Sequence, residues 1–238
     1  MISIIIFSSY RIGQILIQNR QSKRLNEELI EMTEIEKNLK YYDGNLSEFI
    51  NVNFDNLLSI NSDTVGWIVF NQINFPIVQT NDNKFYLYHS FDRRRNLNGA
   101  IFLDYRNNNF YDKNIVIYGH NANSSRNKFG SLVNLLNSSY FDNGGNDVIQ
   151  ISTLTHNFNF QIFSVYNILA EDYYITTSFS SSDFNEFINV INRRSYRDFN
   201  IELKETDRIL TLSTCYGTRG TQMRTVVHAK LVAVQERY

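Results

Sequence analysis

Cysteine and proline are nearly absent from this chain of 238 residues, in which each occurs once, as Cys215 and Pro76. A single cysteine excludes an intrachain disulfide framework, and it excludes a zinc site built from two or four thiolates. The four histidines lie far apart, without the spacing of a helical metal-binding pair: His89, His120, His156 and His228. We therefore expect no metal site and no cofactor.

An excess of charge of one sign is also missing. The chain carries 23 Lys and Arg against 24 Asp and Glu, and both signs are dispersed along it. A nucleic-acid partner requires a concentrated positive surface to contact phosphates. We therefore expect no nucleic-acid partner.

No apolar run is long enough to span a membrane. The stretch Ile2–Phe7 is strongly apolar, but Arg11 interrupts it and it falls well short of the ~20 residues that a transmembrane helix needs. No small-residue cleavage site follows, which argues against a removable signal peptide. Two interpretations remain open: a frayed apolar start, or the end of a membrane anchor that begins upstream of Met1.

The chain does contain enough apolar material for a sizeable core. Hydrophobic residues make up 42% of the chain and aromatic residues 14%, which excludes global disorder. From Thr64 onward, apolar and β-branched segments bounded by turns predict strands. These are Val65–Phe70, Ile73–Gln79, Gly99–Asp104, Ile115–His120, Val148–Leu154, Phe158–Leu169, Arg208–Cys215 and Arg224–Gln235. Seven or eight strands with short helical insertions predict a mainly-β fold, a β-barrel with helical decoration.

Three-residue and four-residue spacing of apolar residues predicts helices before and between these strands. A long helix is predicted over residues 14–40 and a second over Ser47–Ser59. Short helical segments are predicted over Asn83–Tyr88 and residues 128–136, and a further helix over Asp183–Ile191. The first two helices are expected to pack against the main body or to lead into it.

The residues that suggest chemistry lie at the ends of two strands. Cys215 closes the β-branched run Ile209–Cys215, and Arg224 opens the next strand. Because consecutive strands commonly pair, we expect a thiol and a guanidinium at neighbouring strand ends. A cation fixed there stabilises the oxyanion of a tetrahedral intermediate. Arg219 is a competing cation, but it lies in the middle of a loop beside Gly220.

A thiol is a poor nucleophile until its pKa is lowered or a base removes its proton, so Cys215 needs a partner. His120 is the best candidate, because it ends the strand Ile115–His120 and precedes a polar loop. Asp104 and Asp112 are both candidates for an acidic third member, and the sequence selects neither.

The other histidines are given no catalytic role. His228 alternates within the final strand, which indicates a structural residue. His89 and His156 lie in turn-like contexts.

Six segments together resemble the motifs of a known family. They are Thr211–Cys215, Arg224 with Val226–Lys230, Tyr118–His120, Val65–Ile68, Phe75–Gln79 and Gly99–Asn107. Over about residues 55–235 the chain resembles the sortases, specifically class B. The resemblance implies a closed sortase-type barrel of seven to eight strands, with N-terminal helices and a helix inserted before the last two strands. It also implies a partial membrane anchor or leader over 1–20, an N-terminal helical segment packed on the barrel over 21–62, and a catalytic barrel domain over 63–238.

The resemblance implies a cysteine transpeptidase. In such an enzyme Cys215 attacks the carbonyl of Thr in a C-terminal sorting motif and forms a thioacyl intermediate, which an amine then resolves. By similarity, His120 is the general acid for the leaving amine and the general base for the incoming one. Arg224 steadies the substrate and the oxyanion.

The resemblance also implies residues that line the groove for the sorting motif. These are Asn83, Leu87, Tyr174, Ser213 and Thr214. The chain departs from the class in the loop from Tyr216 to Met223, which is one residue shorter than expected. That departure leaves the contacts around the amine entry open.

The implied partners are surface proteins that carry a sorting motif, a peptidoglycan precursor or cross-bridge amine, and the membrane. The family is usually anchored in the cell membrane of Gram-positive bacteria, so the resemblance implies a single-pass anchor with an extracellular catalytic domain. Two other functions remain open. One is a cysteine hydrolase on the same scaffold, and the other is a non-enzymatic β-barrel binding module at the cell surface.

Overall fold

The computed structural model describes residues 2–42, 45–122, 127–180, 183–215 and 222–237. For some residues in these ranges only the backbone is described: 2–6, 40–42, 45–46, 121–122, 127 and 215. The chain begins with helix α1 (Ile2–Thr33), a hairpin of β1 (Glu36–Tyr42) and β2 (Asn45–Asn51), and helix α2 (Asp55–Ile60).

Most of the remaining strands form one barrel. The barrel strands are β3 (Thr64–Phe70), β4 (Ile73–Val78), β5 (Ile101–Leu103), β6 (Asn114–Tyr118), β9 (Val148–Thr153), β10 (His156–Leu169), β11 (Ile209–Cys215) and β12 (Met223–Glu236). The two short strands β7 (Asn121–Ala122) and β8 (Asn127–Lys128) pair with each other in a separate sheet. Between them lie α3 (Ser138–Asp142), α4 (Asp183–Arg193) and the 3₁₀ helices Phe85–Leu87, Phe129–Leu136 and Tyr173–Ile175. The barrel closes in the order β10-β12-β11-β6-β5-β4-β3-β9. The predicted fold class, a mainly-β closed barrel with a helix inserted before the last two strands, is confirmed.

Two parallel pairings distinguish this barrel from an antiparallel meander. β11 pairs in parallel with β6, and β4 pairs in parallel with β5. A parallel pair needs a long crossover connection, which the chain between β6 and β11 supplies with β9, β10 and α4. Because of this pairing, the C-terminal ends of β6 and β11 lie at the same end of the barrel.

Alternate residues of the strands fill the barrel interior. Leu210 and Leu212 of β11, with Val227 and Ala229 of β12, are fully buried in the interior cluster. The intervening positions face outward, where Ile209 packs in a second cluster with residues of α4. Both faces of these strands are therefore covered, and neither face is left to water.

The N-terminal segment differs from its prediction. The helix predicted over residues 14–40 ends at Thr33, where Glu34 adopts a left-handed φ of 43° and the Thr33 hydroxyl donates to the carbonyl of Ile30 (2.8 Å). In place of the helix predicted over Ser47–Ser59 the structure has β2 and the shorter α2. Short apolar runs fit a strand and a helix equally well, and here pairing with β1 decides for the strand.

These N-terminal elements pack on the outside of the barrel. Leu29 of α1, Ile50 of β2 and Leu57 of α2 are buried in one cluster with Trp67 and Phe102 of the barrel. Removing this apolar surface from water stabilises the contact between the segment and the barrel.

The predicted location, a cell membrane with a single-pass N-terminal anchor and an extracellular catalytic domain, is contradicted. Among the residues that the structure describes, no helix is long and apolar enough to cross a membrane. In α1, the apolar residues are interrupted by Arg11, Gln14, Gln18 and Arg20 before an uninterrupted stretch of ~20 accumulates.

Truncating Ile50 tests whether the hairpin belongs to the core. Ile50 is 1% exposed, whereas Leu39 on the same hairpin is 63% exposed. Because Ile50→Ala leaves a cavity, we expect the free energy of unfolding to fall by about 2–5 kcal/mol. The control Leu39→Ala should change it by less than about 0.5 kcal/mol. Urea unfolding followed by the fluorescence of Trp67, the only tryptophan, measures both variants. Equal unfolding midpoints would show that the hairpin contributes nothing to stability.

Candidate active site

The two neighbours of β11 bring three parts of the chain to one end of the barrel. Antiparallel to β12, Cys215 pairs directly with Arg224. Parallel to β6, Ser213 pairs with Tyr118, and the amide of Gly119 donates to the carbonyl of Ser213 (3.2 Å). The end of β11 therefore lies between the end of β6 and the start of β12.

His120 and Cys215 occupy equivalent positions beyond this parallel pairing. Each lies two residues after the last parallel pair, on strands that run about 4.8 Å apart. The backbone of Cys215 is thus placed between those of His120 and Arg224. The thiol lies outside the described side chains, and residues 216–221, including Arg219, lie outside the described residues.

The imidazole of His120 is held in a narrow slot. Its Nε2 lies 2.8 Å from the carbonyl oxygen of Leu87. Gly99 also touches the ring: a Cβ at Gly99 would lie 2.8 Å from Cδ2 of His120 and 2.5 Å from the carbonyl oxygen of Tyr86. Gly99 has a φ of 58°, a left-handed conformation that favours glycine. The close approach and the backbone conformation both exclude a larger residue here.

The contact with Leu87 also indicates which nitrogen of the neutral His120 ring carries the proton. A carbonyl oxygen only accepts hydrogen bonds, so Nε2 carries a proton in this contact. In the neutral ring Nδ1 is then the basic nitrogen.

Arg224 is half-buried beside the same strand ends. Its Nη1 donates to the carbonyl of Met223 (3.0 Å). Directly opposed residues of an antiparallel pair have Cα atoms about 4.5–5.5 Å apart, so the backbone of Arg224 lies beside that of Cys215. Because a guanidinium is not deprotonated in proteins, Arg224 provides a fixed positive charge at this site.

A cleft of about 420 Å³ opens at this end of the barrel, a size typical of ligand sites. It is lined by His120 and Arg224 and by the predicted substrate-binding residues Asn83, Leu87, Tyr174, Ser213 and Thr214. The rest of its lining is Phe102, Tyr118, Gly119, Ala170, Glu171, Asp172 and Ile175. The structure thus brings together the predicted residues from distant parts of the chain.

Hydrogen bonds hold the polar residues of the cleft. The hydroxyl of Tyr174 lies 3.2 Å from Oγ of Ser213. Asn83 donates from Nδ2 to Asp104 (3.0 Å), and its Oδ1 accepts from the amide of Tyr105 (3.0 Å). Side chains ordered in this way lose less conformational entropy when a ligand binds.

The sequence did not assign Tyr118 a role, although it lies in the motif that ends at His120. In the structure its hydroxyl donates to Asp104 (2.8 Å). Burial and the adjacent carboxylate raise the pKa of Tyr118, so the hydroxyl stays protonated and remains a donor. The spacing of the two residues could have pointed to Tyr118: it precedes His120 by two residues, and residues two apart in a strand lie on the same face.

The two aspartates that the sequence left open have different surroundings. Asp104 lies beneath the cleft, where it is bonded to Tyr118 and Asn83. Asp112 accepts from the side-chain amide of Asn107 (2.8 Å) and from the backbone amide of Asn108 (2.7 Å). Only Asp104 is therefore connected by these bonds to residues that line the cleft.

His228 is a buried structural residue, in agreement with its interpretation from the sequence. Its Nε2 lies 2.8 Å from the Tyr166 hydroxyl, and its Nδ1 lies 2.8 Å from Oγ1 of Thr211. The Thr211 hydroxyl gives its proton to Asn114 (2.6 Å), so it accepts from Nδ1. Burial, with a smaller effect of Arg194, lowers the pKa of His228 to about 3. The ring is therefore neutral at physiological pH.

Comparisons with known proteins agree on one family. Residues 70–232 match the Sortase family model, described as Sortase domain. A curated protein named Sortase B from Listeria monocytogenes is 30% identical over 97% of this chain and 93% of its own length.

Solved structures add two ligand complexes. The structure titled Staphylococcus aureus sortase B-substrate complex has a TM-score of 0.69 at 32% identity, over 75% of this chain and 84% of that one. A structure of Sortase B complexed with triglycine has a TM-score of 0.70 at 32% identity, over 75% and 85% of the two chains.

Gly99→Ala tests the slot around His120. The added methyl group displaces the ring, and a misplacement of about 1 Å costs on the order of 100-fold in rate, so we expect a loss of that size in the cleavage of a labelled sorting peptide. Gly144→Ala is the matched control: Gly144 also has a positive φ (74°), but a Cβ added at this position would have no neighbour within 4 Å. Its cleavage rate should stay near that of the parent. Equal rates in the two variants would show that Gly99 does not position His120.

Burial of His228 should make stability depend on pH. Its pKa is about 3 in the folded protein and about 6.5 in the unfolded chain, so the unfolded state binds the proton first as pH falls. The free energy of unfolding should therefore decrease from about pH 6.5 towards 3, by up to ~1.4 kcal/mol per pH unit for this group.

Urea unfolding of His228→Gln across the same pH range measures this contribution. We expect a shallower decrease in this variant, whereas the control His156→Gln, at a partly exposed site at the start of β10, should keep the slope of the parent. Identical slopes in the parent and His228→Gln would contradict a buried neutral ring.

Proposed function

This chain belongs to the sortase family and is a class B transpeptidase, and from that membership we propose that Cys215, His120 and Arg224 carry its reaction. The observation that supports the assignment is the position of β11 between β6 and β12. That position sets the backbone of Cys215 opposite Arg224 and level with His120. A nucleophile, an acid–base group and a fixed cation thus come from three adjacent strand ends.

In the first half-reaction the thiolate of Cys215 attacks the carbonyl carbon of the Thr residue in the sorting motif. A carbon–sulfur bond forms, and the carbonyl electron pair moves to oxygen, where the positive charge of Arg224 stabilises it. One such stabilising group is typically worth about 2.7–4 kcal/mol of barrier. When the oxyanion collapses, the carbon–nitrogen bond breaks and His120 gives a proton to the leaving amine. The products are a thioacyl enzyme and the free C-terminal fragment.

In the second half-reaction a neutral amine attacks the thioester carbon. A new carbon–nitrogen bond forms, His120 takes a proton from the nitrogen, and the thiolate of Cys215 leaves. The enzyme returns to its starting state, and the protein substrate is joined to the acceptor by a new amide bond. His120 therefore acts first as an acid and then as a base.

The cleft suits an extended peptide. Leu87 and Tyr174 give it apolar walls, and Asn83, Ser213 and Thr214 give it hydrogen-bonding groups, the mixture that orients a ligand in a pocket. We infer that these five residues line the sorting motif.

The two substrates follow from the reaction and from the relatives. The Staphylococcus aureus substrate complex and the triglycine complex support a sorting-motif peptide and an amine as the two reactants. We propose that in the cell these are surface proteins that carry the motif and an amine of the Gram-positive cell wall.

The domain boundaries are part of the same proposal. Residues 63–238 are the catalytic domain, and residues 21–62 are a segment packed on it. The cluster that joins Leu29 and Ile50 to Trp67 supports this division.

Product analysis separates transfer from hydrolysis. The protein is incubated with a pool of fluorogenic pentapeptides that contain an internal Thr, with and without triglycine, and the products are identified by mass spectrometry. With triglycine we expect a product that carries the three glycines after Thr; without it we expect slow release of the free acid. If the free acid is the only product in both cases, water resolves the thioester and the enzyme is a hydrolase.

Variants of the same protein test the assigned residues. Cys215→Ala should abolish cleavage of the peptide. If the protein were a non-enzymatic binding module, Cys215→Ala would leave its function unchanged. Arg224→Lys loses the planar fork and should slow cleavage by about 100-fold. Arg208→Lys is the matched control, because Arg208 bonds to the carbonyl of Phe110 away from the cleft (3.2 Å), and its rate should not change.

A further inference from the structure

A carboxylate beneath the cleft connects two of the cleft's walls without lining the cleft itself. Asp104 directly follows β5 and is 0% exposed. Its Oδ2 accepts hydrogen bonds from Nδ2 of Asn83 (3.0 Å) and from the hydroxyl of Tyr118 (2.8 Å). Both donors belong to residues that line the cleft. Asp104 therefore fixes side chains from two different segments relative to each other.

Arg106 extends this network to a third wall. Its Nε and Nη2 donate to the two oxygens of Asp104 (2.9 and 2.7 Å), and the same Nη2 donates to the carbonyl of Ile175 (2.9 Å). Ile175 ends the 3₁₀ helix in which Tyr174 lines the cleft. The planar guanidinium is suited to this task, because its donors diverge at fixed angles. Arg106 thus ties a segment 69 residues away to the floor of the cleft.

The chemistry of Asp104 fits a role in positioning. Burial raises the pKa of Asp104, but hydrogen bonds from Arg106 and Tyr118 outweigh burial and hold the pKa below its ordinary value. The ionised group only accepts hydrogen bonds, and each of its described partners is a donor. Because both oxygens are engaged in this way, Asp104 acts on a bound peptide through its neighbours.

We propose that Asp104, with Arg106 as its bridge, is the positioning residue that sets the shape of the peptide groove and with it the KM for the sorting peptide. It holds Asn83 and Tyr118 on one side and the segment with Tyr174 on the other. This inference rests on the proposed function, in which the cleft binds the sorting motif. Because His120 is oriented by separate contacts, loss of Asp104 should weaken peptide binding far more than it slows the chemical step.

Steady-state kinetics test the proposal with the pentapeptide of the pool that the parent cleaves fastest and with triglycine as acceptor. In Asp104→Asn we expect KM to rise at least about tenfold, as for the loss of hydrogen bonds to a charged group. We expect kcat to change by less than about threefold, since the contacts of His120 remain. Asp207→Asn is the matched control: Asp207 is also shielded and paired with a cation, Lys230 (3.0 Å), but its described side-chain partners, Lys230 and the amide of Lys204 (2.8 Å), do not line the cleft. Its KM should not change.

A double variant tests whether Arg106 acts through Asp104. If it does, Asp104→Asn with Arg106→Ala should have a KM within about twofold of that of Asp104→Asn alone, because the two changes remove the same interaction. If the two substitutions instead raise KM independently, so that their effects multiply, Arg106 does not act through Asp104 and the proposal is overturned. If Asp104→Asn does not fold, the KM of Arg106→Ala alone tests the proposal. The Arg106 side chain is 35% exposed, and its loss leaves the bonds of Asp104 to Asn83 and Tyr118 intact.

Hydrogen exchange gives a readout that needs no substrate. The amide of Thr176 bonds to the carbonyl of Tyr173 (3.2 Å) and reports on the segment that Arg106 holds. In Arg106→Ala we expect this amide to exchange at least about tenfold faster, and in Asp207→Asn at the parent rate. An unchanged rate in Arg106→Ala would overturn the proposal even if KM moved. If the parent cleaves no peptide at all, the proposed function fails, and the exchange rates still decide whether the segment is clamped.

The reactivity of the single thiol separates positioning from catalysis. The rate at which iodoacetamide alkylates Cys215 should stay within about twofold of the parent rate in Asp104→Asn, because the proposal leaves the thiol's surroundings unchanged. A joint loss of kcat and of alkylation rate would make Asp104 part of the catalytic machinery and would contradict the proposal.

Discussion

The parallel pairing of β11 with β6 is the constraint on which the site depends. In an antiparallel pair the two strands would end at opposite ends of the barrel, and His120 and Cys215 would be separated by its full height. The crossover through β9, β10 and α4 returns the chain in the direction that the parallel pair requires. Once β11 is fixed there, the next strand can only return alongside it, and Arg224 pairs with Cys215. The catalytic arrangement is thus a consequence of strand order.

Buried polar residues complete the arrangement on the outer face of these strands. Taking a polar group out of water is costly unless it finds a partner, and here the partners form connected chains. One chain runs from Tyr166 through His228 and Thr211 to Asn114 (2.6–2.8 Å), and another centres on Asp104. Apolar contacts are not directional and allow the packed segments to slide slightly against each other, whereas these hydrogen bonds require one relative position of the groups that they join. They fix the cleft walls relative to the strand ends.

Local patterns in the sequence predicted much of this structure, and long-range pairing accounts for what they missed. The barrel strands were visible as β-branched runs, and Cys215 and Arg224 could be placed together because their strands are consecutive. The partner strand that carries His120 is far away in sequence, so only the strand-end pattern and the family resemblance pointed to it. Most of β1 and β2 falls in the two segments predicted as helices, residues 14–40 and Ser47–Ser59, because their apolar positions suit either period until the pairing is known. Asp104 was one of two equal candidates, since its hydrogen-bond partners lie on other segments.

The central claim, that Cys215 and His120 lie side by side at adjacent strand ends, can be measured directly because the chain has no other cysteine. In the His120→Cys variant the two Cα atoms should lie within the roughly 4.4–6.8 Å that a disulfide spans. Mild oxidation followed by peptide mapping should then recover a cross-link between positions 120 and 215, and the control Gly144→Cys should give none. The account is contradicted if His120→Cys stays uncrosslinked while iodoacetamide labels both of its thiols.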